Sequence, residues 1–272
     1  MKTKKTLRDH CIIYDDECPM CELYTGAFVN YGFLEKNGRR PFSKLRSDER
    51  QLLDLARSKN EIPLINTATG QVTYGLSTLL NILSHRWAVF GLVKSFKPLL
   101  WLVSKCYRFI SFNRKVMVPG SVDGQSCVPS FHLPYRLVYL ILGILIALKI
   151  FSAFYELASI EQPSIPPLIW FVILSGQYLF PLLLLFRSGV RKALEYAGNL
   201  TTITLVGAMM MLPALIFSVF TSAPPLAYIP YLIPIGGVLI REHIRRVKLL
   251  QLSPVLWLGW VVYWLLILVI LM

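Results

Sequence analysis

The chain has 272 residues, 55% of them hydrophobic, with 28 Lys and Arg against 15 Asp and Glu and a net charge of +13. The charge is uneven: residues 1–136 hold 20 of the basic and 11 of the acidic side chains, whereas residues 137–272 hold 8 and 4 and are apolar throughout. This excludes a single soluble domain, because apolar segments of that length exceed what a small core can take and find their solvent in a bilayer.

Cys11 to Tyr14 is a short apolar, β-rich run ending at Asp15, which predicts a buried strand. Pro19 then opens a helix, since proline is tolerated at the first helical position, and Leu23, Ala27, Phe28, Tyr31 and Leu34 follow at helical spacing. Pro41 to Leu45 reads as a second strand. Ser47 to Ser58 reads as a second helix, with Ser47 as N-cap and Leu52, Leu53, Leu55 and Ala56 inward. Ile62 to Thr67 and Gln71 to Tyr74, around Ala68-Thr69-Gly70, predict an antiparallel hairpin, and Gly75 to His85 another helix. Strand, helix, strand, helix, hairpin, helix is the order of the thioredoxin fold, with Cys18 and Cys21 at the first strand-to-helix junction.

Tyr14-Asp15-Asp16-Glu17-Cys18-Pro19-Met20-Cys21 resembles the signature of the thiol-disulfide oxidoreductase DCC family, whose Asp-x-x-Cys-x-x-Cys pattern falls on Asp15, Cys18 and Cys21. Tyr107 to Pro119, with Asn113-Arg114, is similar to that family's usual domain end. The resemblance covers roughly residues 10 to 120, a normal domain length. The chain departs from the family in carrying Asp15-Asp16-Glu17 where Asp-Gly-Asp is common.

A Cys-x-x-Cys pair at a helix N-terminus can do redox chemistry because unpaired amides and the helix dipole favour the thiolate of the first cysteine. Cys18 is the expected nucleophile and Cys21 the resolving thiol. A zinc site would need a second pair, and Cys11, Cys106 and Cys127 stand alone. His10, His85, His132 and His243 form no metal spacing, so neither metal nor organic cofactor is expected. Asp15 reads either as a general base for a thiol or as a turn residue. The thioredoxin-like fold implies that Pro63 is a cis-proline facing the cysteines, with Pro19 and Ile62 contacting an extended substrate; a strand-starting proline is the alternative. Cys127 stands in the linker, where disulfide exchange or acylation is conceivable. The acids before Cys18 oppose a thiolate that the helix favours, so a moderately stabilised thiolate is expected, at the reducing end of the catalytic range.

Trp87 to Phe112 is apolar but carries Lys94, Lys97, Lys105 and Arg108 within about an 80° arc at 100° per residue. It reads as a pair of amphipathic helices broken at Pro98, lying on a membrane surface or packed on the domain. The domains are then 1–119, with 87–112 as the candidate interfacial helices, a linker 120–133, and a membrane region 134–272.

Five apolar segments follow: Leu137 to Ala158, Pro166 to Phe186, Leu200 to Phe220, Pro224 to Ile240 and Pro254 to Met272. The fourth is short and rich in Pro and Gly, and reads as a span by its flanking charges. Lys149 and Gln177 fall near the middle of the first and second spans, at a common depth where the two could meet. Met1 to His10 is basic but precedes no apolar core, so no signal peptide is expected. Lys and Arg collect in alternate loops, which places the N-terminal domain in the cytoplasm and Met272 outside. The basic balance is accounted for by lipid, and no nucleic-acid partner is expected.

The fold class is therefore an α/β thioredoxin-like N-terminal domain followed by an all-α transmembrane region of about five helices. The expected function is a membrane-anchored thiol-disulfide oxidoreductase acting as a reductase or exchange catalyst. Its partners are a protein or small-molecule disulfide, an unidentified thiol donor and the bilayer. The rival is a membrane scaffold or transporter subunit whose thioredoxin-like domain senses redox state or binds a partner. Electron relay across the membrane is disfavoured, because no cysteine follows Cys127.

Overall fold

The computed structural model describes residues 6–120, 129–158, 165–221 and 224–271 and divides into two compact units, residues 1–132 and 133–272. In the first unit β1 (His10–Tyr14) is the strand on which the sheet is built. It pairs in parallel with β2 (Arg39–Pro41) and antiparallel with β3 (Pro63–Asn66), which pairs antiparallel with β4 (Val72–Tyr74), giving the order β2-β1-β3-β4. Both faces of β1 are covered: Ile12 and Tyr14 join one apolar cluster, Cys11 and Ile13 the other. This explains a continuous apolar run in place of an alternating one. Burying Ile12 and Ile13 contributes roughly 1.5–3 kcal/mol each.

Helix α1 (Pro19–Asn30) starts on the proline and ends at Tyr31, followed by Gly32 at φ +72°, the left-handed residue that lets a helix stop. The second strand lies two residues earlier than the sequence suggests, at Arg39–Pro41, because Phe42–Lys44 winds into a 3-10 turn. The single helix expected over 47–58 is two, α2 (Ser47–Leu52) and α3 (Leu55–Ser58). Leu53 leaves the helix to bury its side chain, and Asp54 caps the next turn by accepting the Arg57 N–H at 2.9 Å. Arg46, not Ser47, is the N-cap of α2, and its N–H donates to Glu49. The hairpin and α4 (Leu76–Arg86) follow as expected, as does the break near Pro98: α5 is Val89–Ser95 and α6 is Lys97–Met117.

The second unit is helical: α7 (Leu133–Ala158), α8 (Pro167–Gly176), α9 (Leu179–Phe186), α10 (Val190–Phe220), α11 (Leu232–Leu249) and α12 (Val255–Leu271). Among the described residues three stretches are long and apolar enough to cross a membrane: Leu133–Ala158, Pro167–Phe186 and Val190–Phe220. The third begins ten residues before the expected Leu200, and the expected loop 187–199 is largely its first turns. The fourth segment is not one apolar helix. It is a 3-10 turn, Pro225–Tyr231, leading into α11, whose second half is charged. Helix α12 is apolar but shorter, 17 residues.

Helix α7 packs along α10, where a methyl on Gly143 would overlap Thr201. Small residues at such crossings let helix backbones approach. Helix α11 runs antiparallel to α10, since Tyr231 donates to the Met210 carbonyl, Leu239 lies against Gly207 and Arg246 donates to Asn199 at 2.8 Å. Lys149 and Gln177 do not meet. Lys149 is exposed, while Gln177 is buried, donating to Thr204 and accepting from the Trp260 indole N–H at 3.0 Å.

Candidate active site

The end of β1 delivers Asp15 to a tight turn. The Cys18 N–H donates to the Asp15 carbonyl at 3.1 Å, and the Asp15 side chain accepts the Glu17 N–H at 3.3 Å. Together these make a β-turn braced by an Asx bond. Asp16 does not need the glycine that is common there in the family, because its φ is not positive. Its carboxylate accepts from Ser43 Oγ at 2.6 Å, tying the turn to the segment after β2.

Cys18 is the N-cap of α1, with extended φ −99° and ψ 105°, and its Sγ accepts the Cys21 N–H at 3.4 Å. Sulfur here takes the place of the usual Ser, Thr or Asp oxygen. The Cys18 thiol is lowered from 9.0 to about 6, first by the hydrogen bond from the Cys21 thiol, then by the Cys21 amide and the Arg114 charge, against the opposing effects of burial and Asp15. Cys21 is raised, chiefly because it keeps the proton of that hydrogen bond and because it is buried. The Tyr24 hydroxyl approaches Cys21 Sγ at 3.9 Å from one turn along α1. The two sulfurs are thus differentiated, one favoured as thiolate and the other as thiol. Cys18 and Cys21 are free thiols, 2% and 5% exposed, so a substrate reaches Cys18 by displacing its immediate cover.

Behind the pair, Asp15 is 5% exposed and forms an ion pair with Arg114 at 3.1 Å; the same guanidinium donates to the Lys59 carbonyl at 3.1 Å. Asp15, Cys21, Ser58, Pro63 and Arg114 line one small cleft of about 10 Å³, the room of a single water molecule. Asp15 is therefore a turn residue and a buried carboxylate in the same cleft as Cys21 at once.

The C-terminal half of α6 closes the site. Tyr107 accepts the Ile62 N–H at 3.2 Å, Ser111 donates to the Asn60 carbonyl, and Arg114 reaches Asp15. Sequence reasoning recognised Asn113-Arg114 only as a domain end. The signal that would have assigned Arg114 is the acid itself, since a carboxylate at the end of a buried strand needs a cation nearby.

The expected cis-proline is not there: among the described residues no peptide bond is cis, and Pro63 is the first residue of β3, paired with Tyr74. A strand start suits a residue with no N–H to give. Ile62 also does not present free backbone groups, because its N–H goes to Tyr107 and its carbonyl accepts from Gly75 at 2.9 Å. Ile62 and Pro63 are buried, which leaves Pro19 as the exposed member of the expected substrate contacts. Cys11 lies on the other face of β1, where burial pushes its thiol up to about 11, and Cys106 is exposed on α6. Neither stands with the pair as a ligand set would require. Cys127 lies outside the described residues.

A mixed sheet in the order β2-β1-β3-β4, with a Cys-x-x-Cys pair capping the helix after its central strand, defines a thioredoxin-like thiol-disulfide domain. Residues 12–118 match the model of the family described as DCC1-like thiol-disulfide oxidoreductase, so the N-terminal unit is similar to that family over most of its length. The match spans the sheet, both cysteines and α6 up to Arg114 and beyond. No curated protein and no solved structure gives a match to the chain. The match supports a thiol-disulfide oxidoreductase role for the N-terminal unit, and the long apolar helices that follow support membrane association.

Proposed function

We propose that the chain is a membrane-anchored protein-disulfide reductase or exchange catalyst. The observation that carries this reading is Cys18 Sγ at the N-cap of α1, accepting the Cys21 N–H, with its thiol lowered to about 6. At neutral pH that sulfur is a thiolate, the form that attacks disulfides.

The Cys18 thiolate attacks one sulfur of a substrate disulfide. The Cys18–substrate bond forms, the substrate S–S bond breaks, and the leaving sulfur departs as a thiolate that takes a proton from solvent. Cys21 then loses its proton and attacks Cys18 Sγ, expelling the second substrate thiolate and closing the Cys18–Cys21 disulfide. Two electrons pass from the dithiol to the substrate, and a thiol donor restores the dithiol by the reverse exchange. Asp15 receives the Cys21 proton, directly or through one water, a role supported by the cleft the two residues share. Pro19, exposed beside Cys18, forms part of the surface the substrate meets.

The direction follows from the degree of thiolate stabilisation. Powerful oxidants hold their nucleophilic thiol near pKa 3.5 and reductases near 7; Cys18 at about 6 stands closer to the latter. A cytoplasmic domain would also meet a reducing thiol pool. The full chain equilibrated with glutathione buffers is expected to titrate between roughly −200 and −270 mV, and a midpoint near −120 mV would reject the reductase reading. Cys21→Ser in the full chain is expected to accumulate substrates as mixed disulfides on Cys18 that thiol reductant releases. Full biological function of a Cys18→Ser/Cys21→Ser variant would favour a scaffold or sensor instead.

A further inference from the structure

Helix α6 has three faces. At 100° per residue, Leu100, Val103, Ser104, Tyr107, Ser111 and Arg114 share an arc of about 100°, and this face holds the domain through Tyr107, Ser111 and Arg114. Leu99, Leu102, Cys106 and Ile110 share a second arc of about 80°, and all four are exposed. Lys97, Trp101, Lys105 and Arg108 share a third of about 80°, also exposed, with the Lys105 ammonium over the Trp101 ring at 5.6 Å. The second and third faces together occupy the side turned away from the domain. Helix α5 adds exposed apolar residues beside it: Val89 and Leu92 at i, i+3, and Phe96 in the extended joint before α6, are each at least 60% exposed. Lys94 does not belong to the basic face, because its ammonium donates to Asn81 and Ser84 on α4.

We infer that the outer side of α5 and α6 is a docking surface for an anionic phospholipid bilayer. A soluble domain rarely exposes so many large apolar side chains on two consecutive helices without a partner. The stripe is flanked by Lys, Arg and Trp, the composition of a helix lying in the headgroup region with its apolar face in the acyl boundary. Charge selects the occupant. A second copy would oppose Lys97, Lys105 and Arg108 with the same charges, whereas anionic headgroups complement them. The chain itself keeps a bilayer within reach. Residues 118–132 are all that separates α6 from α7, a helix of membrane-crossing length, and a connection that short spans at most about 50 Å.

The test uses the full-length protein reconstituted in vesicles, with the photoreactive residue p-benzoylphenylalanine at Leu102 and, as control, at Glu35, which is exposed elsewhere on the domain. In phosphatidylglycerol vesicles illumination is expected to give a lipid-mass adduct at position 102 and none at 35. The yield is expected to fall several-fold in phosphatidylcholine vesicles, and equally in a Lys97→Glu/Lys105→Glu/Arg108→Glu variant in phosphatidylglycerol. A covalent dimer at position 102, an adduct no more frequent than at 35, or a yield indifferent to headgroup charge overturns the inference. None of these readouts depends on redox activity, so the result stands apart from that of the thiol chemistry.

Discussion

Cys18 sits where several small effects act on one sulfur. The Cys21 thiol and amide and the Arg114 charge favour the thiolate; burial and Asp15 oppose it. Alkylation of reduced protein by iodoacetamide at Cys18 is therefore expected to follow a midpoint near pH 6, well below that of an ordinary thiol. Arg114→Ala is expected to raise that midpoint and Asp15→Asn to lower it, because the two charges act in opposite directions. An unchanged midpoint in both variants would mean that neither reaches the sulfur. The same shift enters stability. A thiol lowered from 9.0 to about 6 stabilises the reduced fold in full above its unfolded value, and that contribution is lost as pH falls through about 6. Arg114→Ala has a second consequence, since it leaves a carboxylate 3% exposed without its cation. Losing one partner of a buried pair costs about 3–5 kcal/mol. Thermal unfolding of the solubilised full chain is expected to show this loss, and Asp15→Asn/Arg114→Ala to recover part of it.

At the scale of elements, what could be read from the sequence was what local chemistry decides. Pro19 marks the start of α1, the apolar run Cys11–Tyr14 marks a strand covered on both faces, and Cys18 and Cys21 mark the turn into the helix after it. Where long-range packing decided, the pattern was silent. Leu53 breaks the 47–58 helix because the core takes its side chain, and Phe42–Lys44 turns where a strand was expected. Helix α6 is the largest case: its periodicity displayed the exposed basic and apolar faces but not the face that holds the domain, whose Tyr107, Ser111 and Arg114 find their use against Ile62, Asn60, Lys59 and Asp15. One helix thus supplies the outward side of the domain with one half and the back wall of the active site with the other. Tyr107→Phe tests the second half. It strips the buried Ile62 N–H of its acceptor, and an unsatisfied buried group costs about 1–3 kcal/mol. The variant is expected to lose that much stability and to exchange the Ile62 amide faster in deuterium, with the Cys18 alkylation profile little changed.

For the whole molecule the contacts inside residues 133–272 bear on how its apolar helices are arranged for a bilayer. Arg246 and His243 of α11 meet Asn199 and Tyr196 of α10, and Tyr139 of α7 meets Thr202 of α10 at 2.7 Å. The start of α7, the start of α10 and the end of α11 therefore gather at one end of the helical unit. That end collects Arg136, Arg187, Arg191, Lys192, Arg241, Arg245, Arg246 and Lys248, whereas the sequences joining the opposite ends, 159–165 and 221–223, contain no Lys or Arg. Under the positive-inside rule the charged end is expected to face the cytoplasm. Since α11 lies antiparallel along α10, it ends on the side where α10 begins. The 3-10 turn Pro225–Tyr231 and the apolar residues Leu232–Ile240 reach roughly 27 Å if they run on in one direction, at 2.0 and 1.5 Å per residue, close to the ~30 Å of hydrocarbon. The segment that is too broken to read as a single apolar helix is thus long enough to cross in two pieces. Helix α12, with 17 residues and about 26 Å, is then expected to leave the charged end outward. A phosphatase fused at the C-terminus of the full chain is expected to be active outside the cytoplasm, and a fluorescent protein there to be dark. A cytoplasmic C-terminus would remove one crossing. The residues at fault would be 225–240, where α11 would then have to enter and leave on the charged side despite lying along α10.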